Sequence, residues 1–145
     1  DVLKYKVSGN VDLVYSLHAC DSATDGTLYL GLKSRAKLIL SVSCCQHSIK
    51  KQIRNSRYRG ITRHGVFKDR IVYMVGDSLR ALLLEMNGYN ADIFEFVSSR
   101  YTDKNIMMRA RIGSGGSKDS FIEEYTKIST EFKVKPLLEQ FLKEV

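Results

Sequence analysis

Two short apolar runs rich in β-formers, residues 11–17 (Val-Asp-Leu-Val-Tyr-Ser-Leu) and 37–42 (Lys-Leu-Ile-Leu-Ser-Val), flank a stretch, 24–35, that places Leu28, Leu32 and the small Gly31 on roughly one helical face. Strand, helix and strand at this spacing form a βαβ unit, so the two strands are expected to be parallel and neighbours in one sheet. Each run is followed directly by reactive side chains: His18, Cys20, Asp21 and Asp25 after the first, Cys44, Cys45, Gln46 and His47 after the second. Ligands of open α/β sheets bind along the carboxyl ends of the strands, so these residues are expected around one crevice.

The remainder reads as α, β, β, α, α. Between 46 and 65 the chain is polar, basic and without clear period, except for a short helix expected at 48–53. Ile71, Val75, Leu79, Leu82 and Met86 recur at steps of four and three, which predicts a helix over 67–86 stopped by Gly88. Residues 91–97 alternate as a strand should. A turn at 102–105 leads into a further strand at 106–112, and so short a connection makes the two antiparallel. Residues 112–118, with Gly113, Gly115 and Gly116, read as a flexible connection. Phe121, Tyr125, Ile128 and Phe132 mark a helical stripe, with Ser120 and Glu123 in capping-box spacing, and Pro136 opens a last short helix. Gly113 to Ser117 lacks the Lys-Ser/Thr ending of a phosphate loop and reads as a linker.

The 145 residues are enough for one domain with a proper core, taken here as residues 1–145. No apolar stretch approaches the roughly 20 residues that span a bilayer, and there is no basic-then-apolar leader. Three cysteines, two of them adjacent, make a poor disulfide set and favour a reducing, cytoplasmic setting. The net charge of +7 is uneven: residues 33–70 carry eleven Lys or Arg against Asp69 alone. A basic segment that includes the double cysteine favours a polyanionic partner such as RNA, the alternative being a solvated charged face.

Leu17-His18-Ala19-Cys20-Asp21-Ser22-Ala23-Thr24-Asp25 resembles the LHACDTATD signature of a family of class I S-adenosylmethionine-dependent methyltransferase domains, found in bacterial enzymes and in the methyltransferase-like 25 proteins. Ser43-Cys44-Cys45-Gln46-His47 resembles that family's PCCQH. Arg63-His64-Gly65 and the run from Asp77 to Glu85 are similar to its following helix, and Glu95-Phe96-Val97 with Thr102-Asp103-Lys104-Asn105 to its hairpin. Ser43 stands where the family has proline. The family's glycine-rich cofactor loop has no counterpart here, and the chain, which begins with Asp1, is expected to be a piece of a longer polypeptide.

The resemblance implies a fold class: α/β, the C-terminal half of a Rossmann-like class I methyltransferase, with parallel strands and an antiparallel terminal hairpin in one mixed sheet. Four strands are expected in the order fourth, fifth, seventh, sixth, with the fourth (11–17) at an edge open to a partner or a second copy. It implies S-adenosylmethionine as cofactor, with Asp1, Val2, Leu17 and His18 on the cofactor side. Asp21 is expected to act as polar anchor or proton acceptor, with His18 and His47 as further candidate bases. Thr24, Asp25, Cys44, Cys45, Gln46, Lys50, Lys51, Arg54, Arg63 and His64 are expected on the substrate side. Helix capping is the rival role for Asp21 and Asp25. For the double cysteine three roles stand: a nucleophile that relays a methyl group, a metal site with His18, Cys20 and His47, or packing and loop shaping beside the substrate. The third is preferred, and no metal ligand is assigned.

Overall fold

The computed structural model describes residues 5, 7–53, 58–113 and 115–143. Its elements run β1 (Leu13–Cys20), α1 (Ser22–Lys33), β2 (Leu38–Cys45), α2 (His47–Gln52), α3 (Arg59–Thr62), α4 (Gly65–Met86), β3 (Tyr89–Glu95), β4 (Ile106–Ile112), α5 (Lys118–Phe132) and α6 (Leu137–Lys143). The fold is α/β with one four-stranded mixed sheet in the order β1-β2-β4-β3. β1 and β2 are parallel, whereas β4 runs antiparallel to both β2 and β3. This is the order expected for the fourth, fifth, seventh and sixth strands of a Rossmann-like methyltransferase sheet, with β1 at the edge.

The hairpin strands follow from alternation. Tyr89 pairs with Ile112 and Glu95 with Ile106, so the hairpin register is continuous along both strands. β2 sits inside the sheet between β1 and β4, with Ile39, Ser41 and Val42 buried and Leu38 and Leu40 partly so. Helix α4 ends where Gly88 takes a φ of 86°, a left-handed conformation that costs glycine nothing. Two expectations shift. α5 begins at Lys118 with Ser117 as its N-terminal flanking residue, so Ser120 lies inside the helix and no capping box forms with Glu123. The polar stretch after β2 also holds a further turn of helix, α3.

α1 packs on β1 and β2, α4 on β3 and β4, α5 on α4, and α6 on α1 and α4. They share a core with Leu28, Ile39, Ile49, Leu79, Leu84, Met108, Ala110 and Leu138, all of them buried. Tyr89 closes the lower end of this core, where its hydroxyl donates to the carbonyl of Ala36 at 2.7 Å. All the packed helices therefore lie on one face of the sheet. On the opposite face Leu13, Tyr15 and Leu17 project from the edge strand, 45%, 63% and 55% exposed.

Gly31 sets how closely α1 approaches β2. A Cβ there would stand 2.5 Å from Cδ1 and 2.7 Å from Cγ1 of buried Ile39, well inside van der Waals contact. Gly31→Ala is expected to destabilise the protein by about 1–3 kcal/mol through overpacking. Denaturant unfolding monitored by circular dichroism checks this, and an unchanged midpoint would show that α1 and β2 do not touch at Gly31.

Candidate functional site

The strands run further than the apolar pattern suggests. β1 extends to Cys20 and β2 to Cys45, so the cysteines are the last residues of adjacent parallel strands and not the start of loops. Pairing is regular from Leu13 opposite Leu38 to Leu17 opposite Val42, and then slips twice. Ala19 pairs with Ser43, which leaves His18 as an extra residue in β1. Cys20 pairs with Cys45, which leaves Cys44 as an extra residue in β2. His18 absorbs its insertion with a φ of 55°. Such bulges break the alternation of side chains and re-aim them.

The result is a convergence of thiols. The Sγ atoms of Cys20, Cys44 and Cys45 lie within 4.8 Å of one another, and those of Cys20 and Cys44 are 2.8 Å apart. Hydrogen bonds from Cys44 and Cys45 hold the Cys20 thiol below its ordinary pKa. Burial, reinforced by Cys20 and Cys44, pushes Cys45 up to about 12.

Asp21 follows at once. Its N–H donates to the Cys45 carbonyl, extending the strand pairing by one rung, and its backbone then turns with a φ of 48° into α1. Its carboxylate does not cap α1. It reaches across to the next crossover and accepts from the N–H of Ser48 at 2.8 Å and from the Ser48 hydroxyl at 2.5 Å. Ser48 is in the first turn of α2, so Asp21 satisfies a free N–H of the neighbouring helix and sets the position of His47, which is exposed.

Thr24, Asp25 and Gln46, expected on the substrate side, are buried. Thr24 donates its hydroxyl to the Ala19 carbonyl at 3.0 Å and so braces the β1 bulge. Both oxygens of Asp25 are taken by Arg80: Nε donates to one at 2.7 Å and a terminal nitrogen to the other at 3.2 Å. The remaining terminal nitrogen of Arg80 donates to Asp77 at 3.2 Å. The same Asp77 oxygen accepts from Gln46 Nε2 at 2.9 Å and from the Ser43 hydroxyl at 3.2 Å. Burial raises the Asp77 carboxyl above its ordinary value, against the pull of Arg80, Ser43 and Gln46. A hydroxyl at 43 is therefore not idle: it bonds α4 where proline could not.

Two further residues reach the strand ends. Tyr73 of α4 donates its hydroxyl to the Cys44 carbonyl at 2.6 Å, capping the bulge. Lys104, from the turn before β4, donates to the Tyr73 oxygen at 2.7 Å and sits 4.2 Å from the ring centroid. Tyr73, Asp77, Arg80, Lys104 and Ser48 were not singled out as site residues in the sequence.

The basic segment divides. Lys33, Arg35 and Lys37 lie in the return from α1 to β2, at the opposite end of the sheet from the cysteines, and Lys37 pairs with Asp12 at 2.7 Å. On the cysteine side are α2, α3 and the start of α4, with Lys50, Lys51, Arg59, Arg63, Lys68 and Arg70. Lys50 is held by Asp69 at 2.6 Å. Arg63 donates to the ring of His64 at 3.1 Å, and both are exposed. They precede α4 and stand about 13 Å along it from Tyr73. Asp1, Val2 and Arg54 lie outside the described residues. A cleft of about 480 Å³ between α4, α5 and α6, lined by Leu83, Met86, Tyr125 and Glu139, is remote from these groups.

Residues 3–52 match the family model described as "Methyltransferase domain". That span ends with α2 and holds β1, α1 and β2, hence all three cysteines. No curated protein and no solved structure matches the chain. Among the described residues no helix is long and apolar enough to cross a membrane.

Arg80→Met leaves Asp25 and Asp77 buried without their cation and is expected to cost about 3–5 kcal/mol. Thermal unfolding of the variant, alone and with Asp25→Asn, measures this. Partial recovery in the double variant is expected, and additive losses would refute the pairing.

Proposed function

We propose that the chain is part of an S-adenosylmethionine-dependent methyltransferase whose transfer crevice lies at the carboxyl ends of β1 and β2. The observation that carries the reading is the methyltransferase-domain match over the segment that builds those strand ends, on a sheet of the corresponding topology. The described residues fit one wall of a cofactor site. Leu17 is 55% exposed and offers an apolar contact, and His18, lifted out of the strand by its bulge, offers an exposed imidazole. S-adenosylmethionine, when bound, supplies an electrophilic methyl group.

The rest of the work falls to the chain. His18 and His47 are exposed imidazoles and are the candidates to receive the proton that a nucleophile loses. Asp21, with its oxygens committed to Ser48, acts as the anchor that fixes α2 and His47, not as the base. Thr24, Asp25 and Gln46 hold the strand ends in place from below. RNA, or another polyanion, is the substrate class that fits the cations of α2, α3 and the start of α4.

A second reading, a basic nucleic-acid-binding module that keeps the shape without the chemistry, is favoured by one observation: the carboxylates of Asp21 and Asp25 are both fully engaged within the protein.

Two titrations separate these readings. In a longer polypeptide that also carries the glycine-rich cofactor loop, calorimetry is expected to show S-adenosylhomocysteine binding that weakens on His18→Ala. Binding to a single-stranded RNA is expected to fall with salt. Replacing Arg59, Arg63, Lys68 and Arg70 by Gln should lower the log–log slope by about 0.7 for each phosphate that is no longer neutralised. RNA binding without the homocysteine would transfer the case to the binding module, and an unchanged salt slope would remove the polyanion.

A further inference from the structure

Two thiols at adjacent strand ends are ordinary, but three within mutual reach require an arrangement that a regular ladder forbids. Successive residues of a strand point to opposite faces, so Cys44 and Cys45 cannot both turn toward Cys20 while β2 is regular. The slip at Cys44 removes that obstacle, and the slip at His18 restores the register so that Cys20 still meets Cys45. Tyr73 then holds the Cys44 carbonyl, and Asp21 continues the pairing just beyond Cys20. The three sulfurs end within 4.8 Å of one another, with Cys20 exposed and Cys44 and Cys45 half-buried.

We propose that Cys20, Cys44 and Cys45 form a three-thiolate site for a single thiophilic divalent cation, zinc in preference. Soft sulfur ligands select such an ion over magnesium or calcium. Zinc–sulfur bonds of about 2.3 Å in a tetrahedral arrangement place sulfurs roughly 3.8 Å apart. The cluster meets this by opening the Cys20–Cys44 contact of 2.8 Å by about 1 Å, within side-chain rotation. On binding, three S–H protons leave to solvent as three S–metal bonds form, and no sulfur changes oxidation state. The site faces outward at Cys20, so the fourth coordination position is open to water or to another donor. Three protein ligands and an open position are the pattern of zinc sites that take part in chemistry, as distinct from closed structural ones. The proposal is independent of the methyltransferase reading, since it rests on the sulfur positions alone.

The test uses the full chain, reduced with a phosphine and freed of metal. Cobalt(II) is titrated in as a spectroscopic stand-in for zinc. The expected result is a thiolate-to-cobalt charge-transfer band that saturates at one ion per chain and is erased by added zinc. Cys20→Ser should lose the band while keeping its circular dichroism spectrum, because Cys20 is exposed at a sheet edge. In the unmodified chain, zinc should protect all three cysteines from alkylation, as read by mass spectrometry of the peptides. His64→Ala should leave the band unaltered. Absence of the band, its survival in Cys20→Ser, or alkylation of Cys44 or Cys45 at an undiminished rate in the presence of zinc would each overturn the site.

Discussion

A guanidinium with no exposed surface is costly to bury unless carboxylates meet it, and Arg80 is met by two. Its fork closes on Asp25 at the start of α1 and reaches Asp77 one turn back on its own helix. Asp77 in turn gathers Ser43 and Gln46 from the end of β2. The long helix α4 is thereby tied to both halves of the βαβ unit at one point. Ion pairs of this kind add little net stability over apolar packing, yet breaking one is severe. Their effect is on arrangement, because only one placement of α1, β2 and α4 satisfies every charge. Gly76 leaves the space that the Gln46 side chain fills: a Cβ there would stand 1.8 Å from its oxygen.

What was legible in the sequence follows from how local each cause is. Period-two and period-four apolar patterns marked the strands and α4 because burial of those side chains is decided within a few residues. The strand order came from resemblance, and pairing in the sheet agrees with it. The reach of β1 and β2 through their cysteines was not visible, since Cys, His and Ser at strand ends resemble loop residues in composition. Asp21 stood out in the sequence, but the partner of its carboxylate, Ser48, comes from another crossover, and no local rule points there. Arg80 had a signal that went unused. It stands four residues after Gly76 and four before Leu84, on a buried row of α4, where a charge demands a partner.

The basic segment shows why charge summed along a chain misleads. Residues 33–70 are contiguous in sequence, but a parallel crossover returns the chain to the far end of the sheet before β2 begins. Lys33, Arg35 and Lys37 are therefore separated from Lys50 and its followers by the length of β2. Among the described residues of that segment, the cations on the strand-end side are those of α2, α3 and the first turns of α4, and Asp69 pairs with one of them.

The two slips in the β1–β2 ladder also bear on how such a chain can change over time. His18 lengthens one strand by a residue and Cys44 lengthens the other, so beyond them the partners are again those of the regular stretch. Loss of either residue alone would carry every later pair out of step and separate Cys20 from Cys45. Loss of both together would keep the ladder whole. As insertions they are therefore a linked pair: each offsets the other in the ladder, and the thiol cluster needs both.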